Sequence, residues 1–374
     1  MVGAMDVSEF DFALPDELIA QDPPTRRGES RLLVVDRHTD RLEHAGFNEL
    51  GRFLRRGDVL VLNDTRVFPA RLLGVRVPSG GAVECLLVRQ LPPDGSEGEP
   101  KDDRASSRLW EALVHPGQKL KPGARVRFEG DGVVILGEVL EQRFFGRRTV
   151  RLTSEGAGLD DAISRIGHIP LPPYIHRDDR PSDRDRYQTV YAAESGSIAA
   201  PTAGLHFTEA LLAGLSAGGI EQVRVTLHVG YGTFKPVRVE RVEEHVVEPE
   251  RFTVSPIAAD ALTRARRDGR RIIAVGTTTT RALESLEVTA TGGVVPMSGE
   301  ATVFIHPGHE FRLVDGLITN FHLPRSSLLM LVAAFAGRDR VMQAYRAAVD
   351  ARYRFYSYGD AMLIADLPVA PAGG

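Results

Sequence analysis

The chain has 374 residues, more than one hydrophobic core usually serves, so two domains, or one domain with a large insertion, are expected. Its 43% apolar and 26% charged residues are ordinary for a globular protein, and the formal net charge of -4 argues against a protein covered in basic surface for nucleic acid. No apolar run reaches the roughly 18 residues of a membrane span, and the first residues lack the basic-then-apolar pattern of a secretory signal, so a cytoplasmic location is expected. The single cysteine, Cys85, lies in the apolar run VECLLV; it excludes an internal disulfide and is expected to be a buried small side chain.

In chain order, Pro15 to Gln21 predicts a short Pro-started helix, Arg31 to Asp36 a strand, and DVLVLND a second strand ending at Asn63 and Asp64. From Arg71 to Leu152 only strand patterns occur: VECLLVRQ, RLWEALV, ARVRFEG, VVILGEVLE and RTVRL. Short strands separated by turn residues predict a small antiparallel barrel. Pro92 to Ser107 is almost devoid of apolar residues and is expected to be a disordered hairpin loop between two of them. Beyond Leu152 helices return. Thr208 is placed to cap EALLAGL, and Ser255 with Pro256 starts a helix that stops at Gly269. RRIIAVG is a strand leading directly into TTTTRALESL, and Leu317 to Asn320 is a strand followed by a helix after Pro324 that closes at Gly337, with Leu328 to Ala336 as core. The expected fold is an α/β body, a mixed sheet or barrel with helices, built by residues 1–70 and 153–374, with an all-β antiparallel barrel inserted at 71–152.

Four segments join Gly, Thr or Ser to His or Tyr at apparent strand ends: Glu194 to Phe207, Leu227 to Lys235, Gly276 to Arg281 and Thr319 to Ser327. Ligands of open α/β folds bind beyond the carboxyl ends of strands, so these segments form the candidate site. In GTTTTR, Thr277 to Thr280 bring hydroxyls and unpaired N–H groups to a helix start, a receptor for carboxylate or phosphate, although N-capping alone needs only one of them. LHVGYGTFKPV contains Gly230 and Gly232 around Tyr231, which suggests close backbone approach, but no third glycine completes a dinucleotide fingerprint. Ser197 lacks a GxSxG elbow and is not read as a nucleophile. His206 and His228 are candidate acid and base groups, though a histidine beside apolar residues also serves as a satisfied core residue. His306 and His309 form HxxH without an accompanying carboxylate motif, so no metal is expected. Two arginine clusters, Arg264 to Arg271 and Arg143 to Arg151, are either solvated faces or RNA-facing patches.

Taken together, NDTRVFPARLLG from Asn63, PLPPYIHRDDRPSDRDRYQTVYAAESGSIAAPTAGLHFT from Pro170, VTLHVGYGTFKPV from Val225, AVGTTTTRALES from Ala274, LITNFHLPRSSLLMLVAAFAG from Leu317 and YRFYSYGDAMLI from Tyr353 resemble the S-adenosylmethionine:tRNA ribosyltransferase-isomerases of queuosine biosynthesis over nearly the whole chain. The resemblance implies an α/β body with an inserted barrel. It also implies transfer of the ribosyl unit of S-adenosylmethionine to 7-aminomethyl-7-deazaguanine at the wobble position of a tRNA, giving epoxyqueuosine, adenine and methionine. S-adenosylmethionine would be consumed as ribosyl donor, no metal would take part, and the protein is expected to act as a monomer away from membranes. His206, His228, Tyr231 and Asp64 become the acid/base candidates, with His322 next. Thr277, Thr278 and Arg281 are expected to hold the methionine carboxylate, Arg66 and Arg325 to meet an RNA phosphate or the substrate, and Thr202, Gly204, Gly230, Gly232 and Asn320 to line the site. The chain departs from the family pattern in three places: Thr279 and Thr280 stand in GTTSVR, His306 and His309 replace the tyrosines of FIYPGY, and Glu248 replaces the second His of HxMH, with His245 retained. The alternatives are another S-adenosylmethionine-dependent RNA-modifying enzyme, such as a methyltransferase, and a non-catalytic RNA-binding module.

Overall fold

The computed structural model describes residues 5–92, 106–156, 158–234 and 236–367, without the side chains of residues 145, 231 and 234. Before the barrel run β1 (Arg31–Asp36), β2 (Leu42–Gly46), β3 (Val59–Asn63) and β4 (Thr65–Val67). The barrel holds β5 (Arg71–Val77), β6 (Ala82–Leu91), β7 (Ser107–His115), β8 (Arg125–Gly130), β9 (Val133–Gln142) and β10 (Arg147–Glu155). Then follow α1 (Leu159–Ile166), α2 (Asp183–Arg186), β11 (Glu194–Ser197), α3 (Glu209–Ala217), β12 (Glu221–Leu227), β13 (Glu250–Val254) and α4 (Pro256–Arg267). The chain ends with β14 (Ile272–Val275), α5 (Thr277–Glu284), β15 (Met297–Ala301), β16 (Gly316–Asn320), α6 (Ser327–Ala336), α7 (Arg338–Asp350) and β17 (Ala361–Ala365).

The strands from both ends of the chain build a nine-stranded sheet in the order β15-β13-β12-β3-β14-β16-β17-β1-β2. Its middle is buried on both faces, which is why β3 (VLVLN) and β14 (IIAV) are nearly unbroken apolar runs. Side chains alternate between two cores: Val59 and Val61 of β3 face one, Leu60 and Leu62 the other. Truncating such a residue to alanine removes about 2–5 kcal/mol of stability. Because β12, β3, β14 and β16 are mutually parallel, their carboxyl ends lie along one edge of the sheet. Three of the four candidate segments begin at those ends.

The six strands β5 to β10 close into an antiparallel barrel with its own core, including Leu72, Leu87, Phe128 and Leu152. The expected α/β body with an inserted antiparallel barrel is therefore present. Cys85 is 1% exposed inside the barrel, where burial pushes its thiol up to about 12. Arg147 of β10 ties barrel to body: it donates to Glu111 at 2.7 Å and to Glu248 at 2.8 Å. The polar stretch Pro92 to Ser107 falls, from 93 to 105, outside the described residues.

The expected caps are in place at Thr208, which accepts from the Leu211 N–H, and at Ser255, which accepts from Ala258. One local expectation is corrected: Pro15 to Gln21 forms only one 3-10 turn, Asp16–Leu18. The helix expected after Pro324 is present as Ser327–Ala336 and closes at Gly337; the Ser326 hydroxyl takes the Leu329 N–H and fixes its start.

Candidate active site

The strand-end edge carries two recesses. The larger is a cleft of about 1130 Å³ between the barrel, α1 and the β12-β13-β15 side of the sheet. Next to its lining residues Thr226 and His228, buried Asn63 joins the ends of β3 and β12: its Oδ1 accepts from the Leu227 N–H at 2.9 Å and its Nδ2 donates to the Leu227 carbonyl at 2.9 Å. Asp64 follows, accepting from the Thr226 hydroxyl at 2.7 Å; burial holds its pKa above the ordinary value and Glu194 adds to this, against the Thr226 bond. Thr65 comes next, with its hydroxyl 2.8 Å from His228 Nδ1 and 3.3 Å from the Glu194 carbonyl. Gly196 faces the His228 ring with φ of 147°, and a Cβ built there would lie 2.8 Å from the ring, so the imidazole rests against bare backbone. Ser197, buried, accepts from the Val229 N–H at 2.8 Å and is a strap between loops, with no part as a nucleophile.

Arginines surround this cleft. Arg66 is exposed and donates to the Ala192 carbonyl at 2.9 Å, Arg108 pairs with Asp160 at 2.9 Å, and Arg251 has no side-chain partner among the described residues. Several members of the two clusters singled out by composition pair within the protein, while Arg264, Arg267 and Arg151 stay largely exposed. Arg271 pairs with Asp58 and Arg270 with Glu221, each at 2.6 Å, and Arg266 donates to the Gly292 carbonyl. Arg148 is buried on the carbonyls of Leu120 and Gly117, and Arg151 pairs with Glu138.

The smaller recess, about 50 Å³, lies at the start of α5. Gly276, with φ of 97°, turns the chain from β14 into that helix. The hydroxyls of Thr279 and Thr280 bond back to the carbonyls of Val275 and Gly276. Those of Thr277 and Thr278 have no partner among the described residues, and both line the recess with Thr202, Asn320, His322 and Tyr356. Since the helical ladder begins with Thr280 N–H to Gly276 O, the N–H groups of Thr277 to Thr279 precede it.

Behind this recess lies His206, 3% exposed, with Nδ1 2.8 Å from Ser30 Oγ and Nε2 3.0 Å from Asn320 Nδ2. The Asn320 amide is oriented by the Tyr356 carbonyl, which only an NH₂ group can approach at 3.1 Å. Nε2 of His206 is therefore the acceptor and Nδ1 carries the proton. Burial lowers the His206 pKa to about 4, so the ring is neutral at pH 7. The structure thus sets His206 in the core with both nitrogens satisfied, and its contact with the recess runs through Asn320. His322 is likewise buried, bonded to Thr319 Oγ1 at 2.8 Å, and lowered to about 3.

The remaining expected residues separate. Arg281 is absent from the lining of the recess and makes four hydrogen bonds, to Glu250 and to the carbonyls of Val303, Ala301 and Glu248, which take up its fork in this structure. Glu250, buried, also accepts from the Gly230 N–H and the Thr233 hydroxyl, and this ties the glycine loop to α5. Gly232 lies against Glu248, where a Cβ would come within 2.8 Å, and Gly204 lies beneath the Tyr191 hydroxyl, where a Cβ would come within 2.2 Å; both serve close packing. Arg325 pairs with Asp11 of the N-terminal segment and lines neither recess. Tyr231 starts a 3-10 turn, Tyr231–Phe234, and its side chain lies outside the described residues. His309 sits 3.6 Å from Glu284, and among the described residues no group of three or more His, Cys, Asp or Glu is placed to hold a metal. Sequence reasoning missed Asn63, Thr65, Gly196 and Glu250; only Gly196 left a signal, as a glycine between two serines at a strand.

No described helix is long and apolar enough to cross a membrane. Residues 7–364 match the family model described as queuosine biosynthesis protein. A protein of Halothermothrix orenii is 49% identical over 360 residues, spanning 96% of this chain and 100% of the relative, and one of Symbiobacterium thermophilum is 50% identical over the same spans. Both carry the name S-adenosylmethionine:tRNA ribosyltransferase-isomerase. The crystal structure of an S-adenosylmethionine tRNA ribosyltransferase from Thermotoga maritima is similar with a TM-score of 0.52 and 38% identity, over 96% of this chain and 100% of that one. Sequence and fold together make this chain a member of the queuosine biosynthesis protein family.

Proposed function

We propose that the protein is an S-adenosylmethionine:tRNA ribosyltransferase-isomerase of the cytoplasm. It transfers the ribosyl unit of S-adenosylmethionine to 7-aminomethyl-7-deazaguanine at the tRNA wobble position and isomerises it to epoxyqueuosine, releasing adenine and methionine without a metal. Residues 1–70 and 153–374 form the catalytic body, 71–152 an inserted domain, and the protein acts as a monomer. The observation that carries this reading is a cationic cleft lined by His228 and by Thr226, whose hydroxyl bonds Asp64 on the neighbouring strand end, together with an anion-receptive helix start in the smaller recess.

In this reading the cleft takes the modified base, and Arg66 and Arg251 meet the RNA backbone. The sulfonium acidifies the neighbouring ribose carbon, and His228 removes that proton. When Thr65 Oγ1 gives its one hydrogen to the Glu194 carbonyl it accepts from His228 Nδ1–H, and this is the tautomer the base role requires. Asp64, whose pKa burial raises, is the candidate proton donor to departing adenine. Thr277 and Thr278 receive the methionine carboxylate, while His206 positions Asn320.

The test incubates the protein with tRNA bearing 7-aminomethyl-7-deazaguanine and with donor labelled in its ribose. Adenine release with label entering the tRNA is expected. Release of S-adenosylhomocysteine would identify a methyltransferase instead, and binding without turnover would identify an RNA-binding module.

A further inference from the structure

Asn320 is 2% exposed, yet its Oδ1 is buried without any hydrogen-bond partner. Its NH₂ arm is fixed by the Tyr356 carbonyl at 3.1 Å and by His206 Nε2 at 3.0 Å, so the oxygen occupies the opposite arm of a residue on the wall of the small recess. A buried amide oxygen left unpaired costs about 1–3 kcal/mol. The Tyr356 carbonyl that fixes the amide belongs to a non-glycine residue held at φ of 73°, so backbone strain is stored where it aims this acceptor. Across the same recess stand the first N–H groups of α5 and the hydroxyls of Thr277 and Thr278. One wall thus offers donors for an anion and the other an acceptor for a cation.

We infer that the recess is a subsite for an α-amino acid zwitterion: its carboxylate on α5 and Thr277/Thr278, its ammonium on Asn320 Oδ1. The inference rests on the proposed reaction, in which the occupant is the methionine end of the donor. An exocyclic adenine amine would also satisfy Oδ1. However, adenine has no anionic group for the α5 donors. The neutrality of His206 keeps its Nε2 an acceptor for the Asn320 amide, so Oδ1 remains the arm of this lining residue that has no partner.

The test measures binding to the full-length protein by calorimetry. The probes are L-methionine, 4-(methylthio)butanoate, which lacks the ammonium, methioninol, which lacks the carboxylate, and adenine. L-methionine is expected to bind at least about tenfold tighter than either truncated probe, as for hydrogen bonds to charged groups. In Asn320→Ala the advantage of the ammonium should vanish while that of the carboxylate persists; in Thr277→Val the reverse holds. Equal affinity of wild-type protein for L-methionine and 4-(methylthio)butanoate would overturn the inference, even if Asn320→Ala does not fold. So would binding of adenine but not L-methionine. Adenine release by the wild-type protein is scored separately, and its absence would remove the enzymatic reading itself.

Discussion

Replacing Thr65 by valine tests how His228 is held. Valine keeps the shape of a residue that is 0% exposed but deletes the oxygen lying 2.8 Å from His228 Nδ1 and 3.3 Å from the Glu194 carbonyl. Two hydrogen bonds at about 0.5–1.5 kcal/mol each set the stability loss at about 1–3 kcal/mol, small enough for the protein to remain folded. The catalytic consequence is larger. Without the hydroxyl nothing from Thr65 selects the Nδ1–H tautomer or aligns the ring over Gly196. General-base catalysis contributes about 10²–10⁴ in rate, so losing the tautomer and part of the alignment is expected to lower kcat about 10- to 100-fold. Neither donor nor tRNA contacts Thr65 in the proposed arrangement, so both KM values should change little. The assay is adenine release at saturating donor and tRNA, alongside urea unfolding and a parallel His228→Gln variant. If kcat of Thr65→Val matches wild type while His228→Gln is inactive, the hydroxyl does not position the ring; if both remain active, His228 is not the base.

Glu250→Gln leaves the buried Arg281 guanidinium without its counter-charge, and a loss of about 3–5 kcal/mol in urea unfolding is expected; an unchanged midpoint would show that the carbonyls of Ala301 and Val303 hold Arg281 by themselves. Acid sensitivity follows from His206, whose pKa is lowered by burial to about 4 in the folded protein from the ordinary 6.5. The unfolded chain then binds the extra proton first, so the contribution is full above pH 6.5 and is lost as the pH falls toward 4, by about 3 kcal/mol at 1.36 kcal/mol per pKa unit. His206→Asn should flatten the stability–pH slope in that window, and the same slope in both proteins would refute this. Arg66→Ala and Arg251→Ala are each expected to weaken tRNA binding and reduce the salt slope of log K by about 0.9, whereas Arg271→Ala, which removes a buried partner of Asp58, should destabilise the fold without moving that slope.

Much of this organisation is legible in the sequence because it is local. Thr208 and Ser255 cap helices with N–H groups three residues away, and the alternation of β5 to β10 specifies a sheet with one face turned inward. What is not legible is set by partners distant in the chain. His206 lies 176 residues from Ser30 and 114 from Asn320, and Arg281 lies 31 from Glu250, so residue type alone suggests a titrating group and an anion ligand where the fold has a satisfied core histidine and an internal ion pair. The contrast with His228 shows where the missing information was available. In VTLHV, Val225, Leu227 and Val229 are each at most 2% exposed, so a period of two places Thr226 and His228 together on the opposite side, and both line the cleft. His206 follows Leu205 in a 3-10 turn, Thr202–His206, whose residues from 203 onward are all buried, and there no alternation exists to give the ring a solvent-facing side. For two histidines in similar apolar surroundings, the strand period therefore separates the one that faces a ligand cleft from the one that cannot.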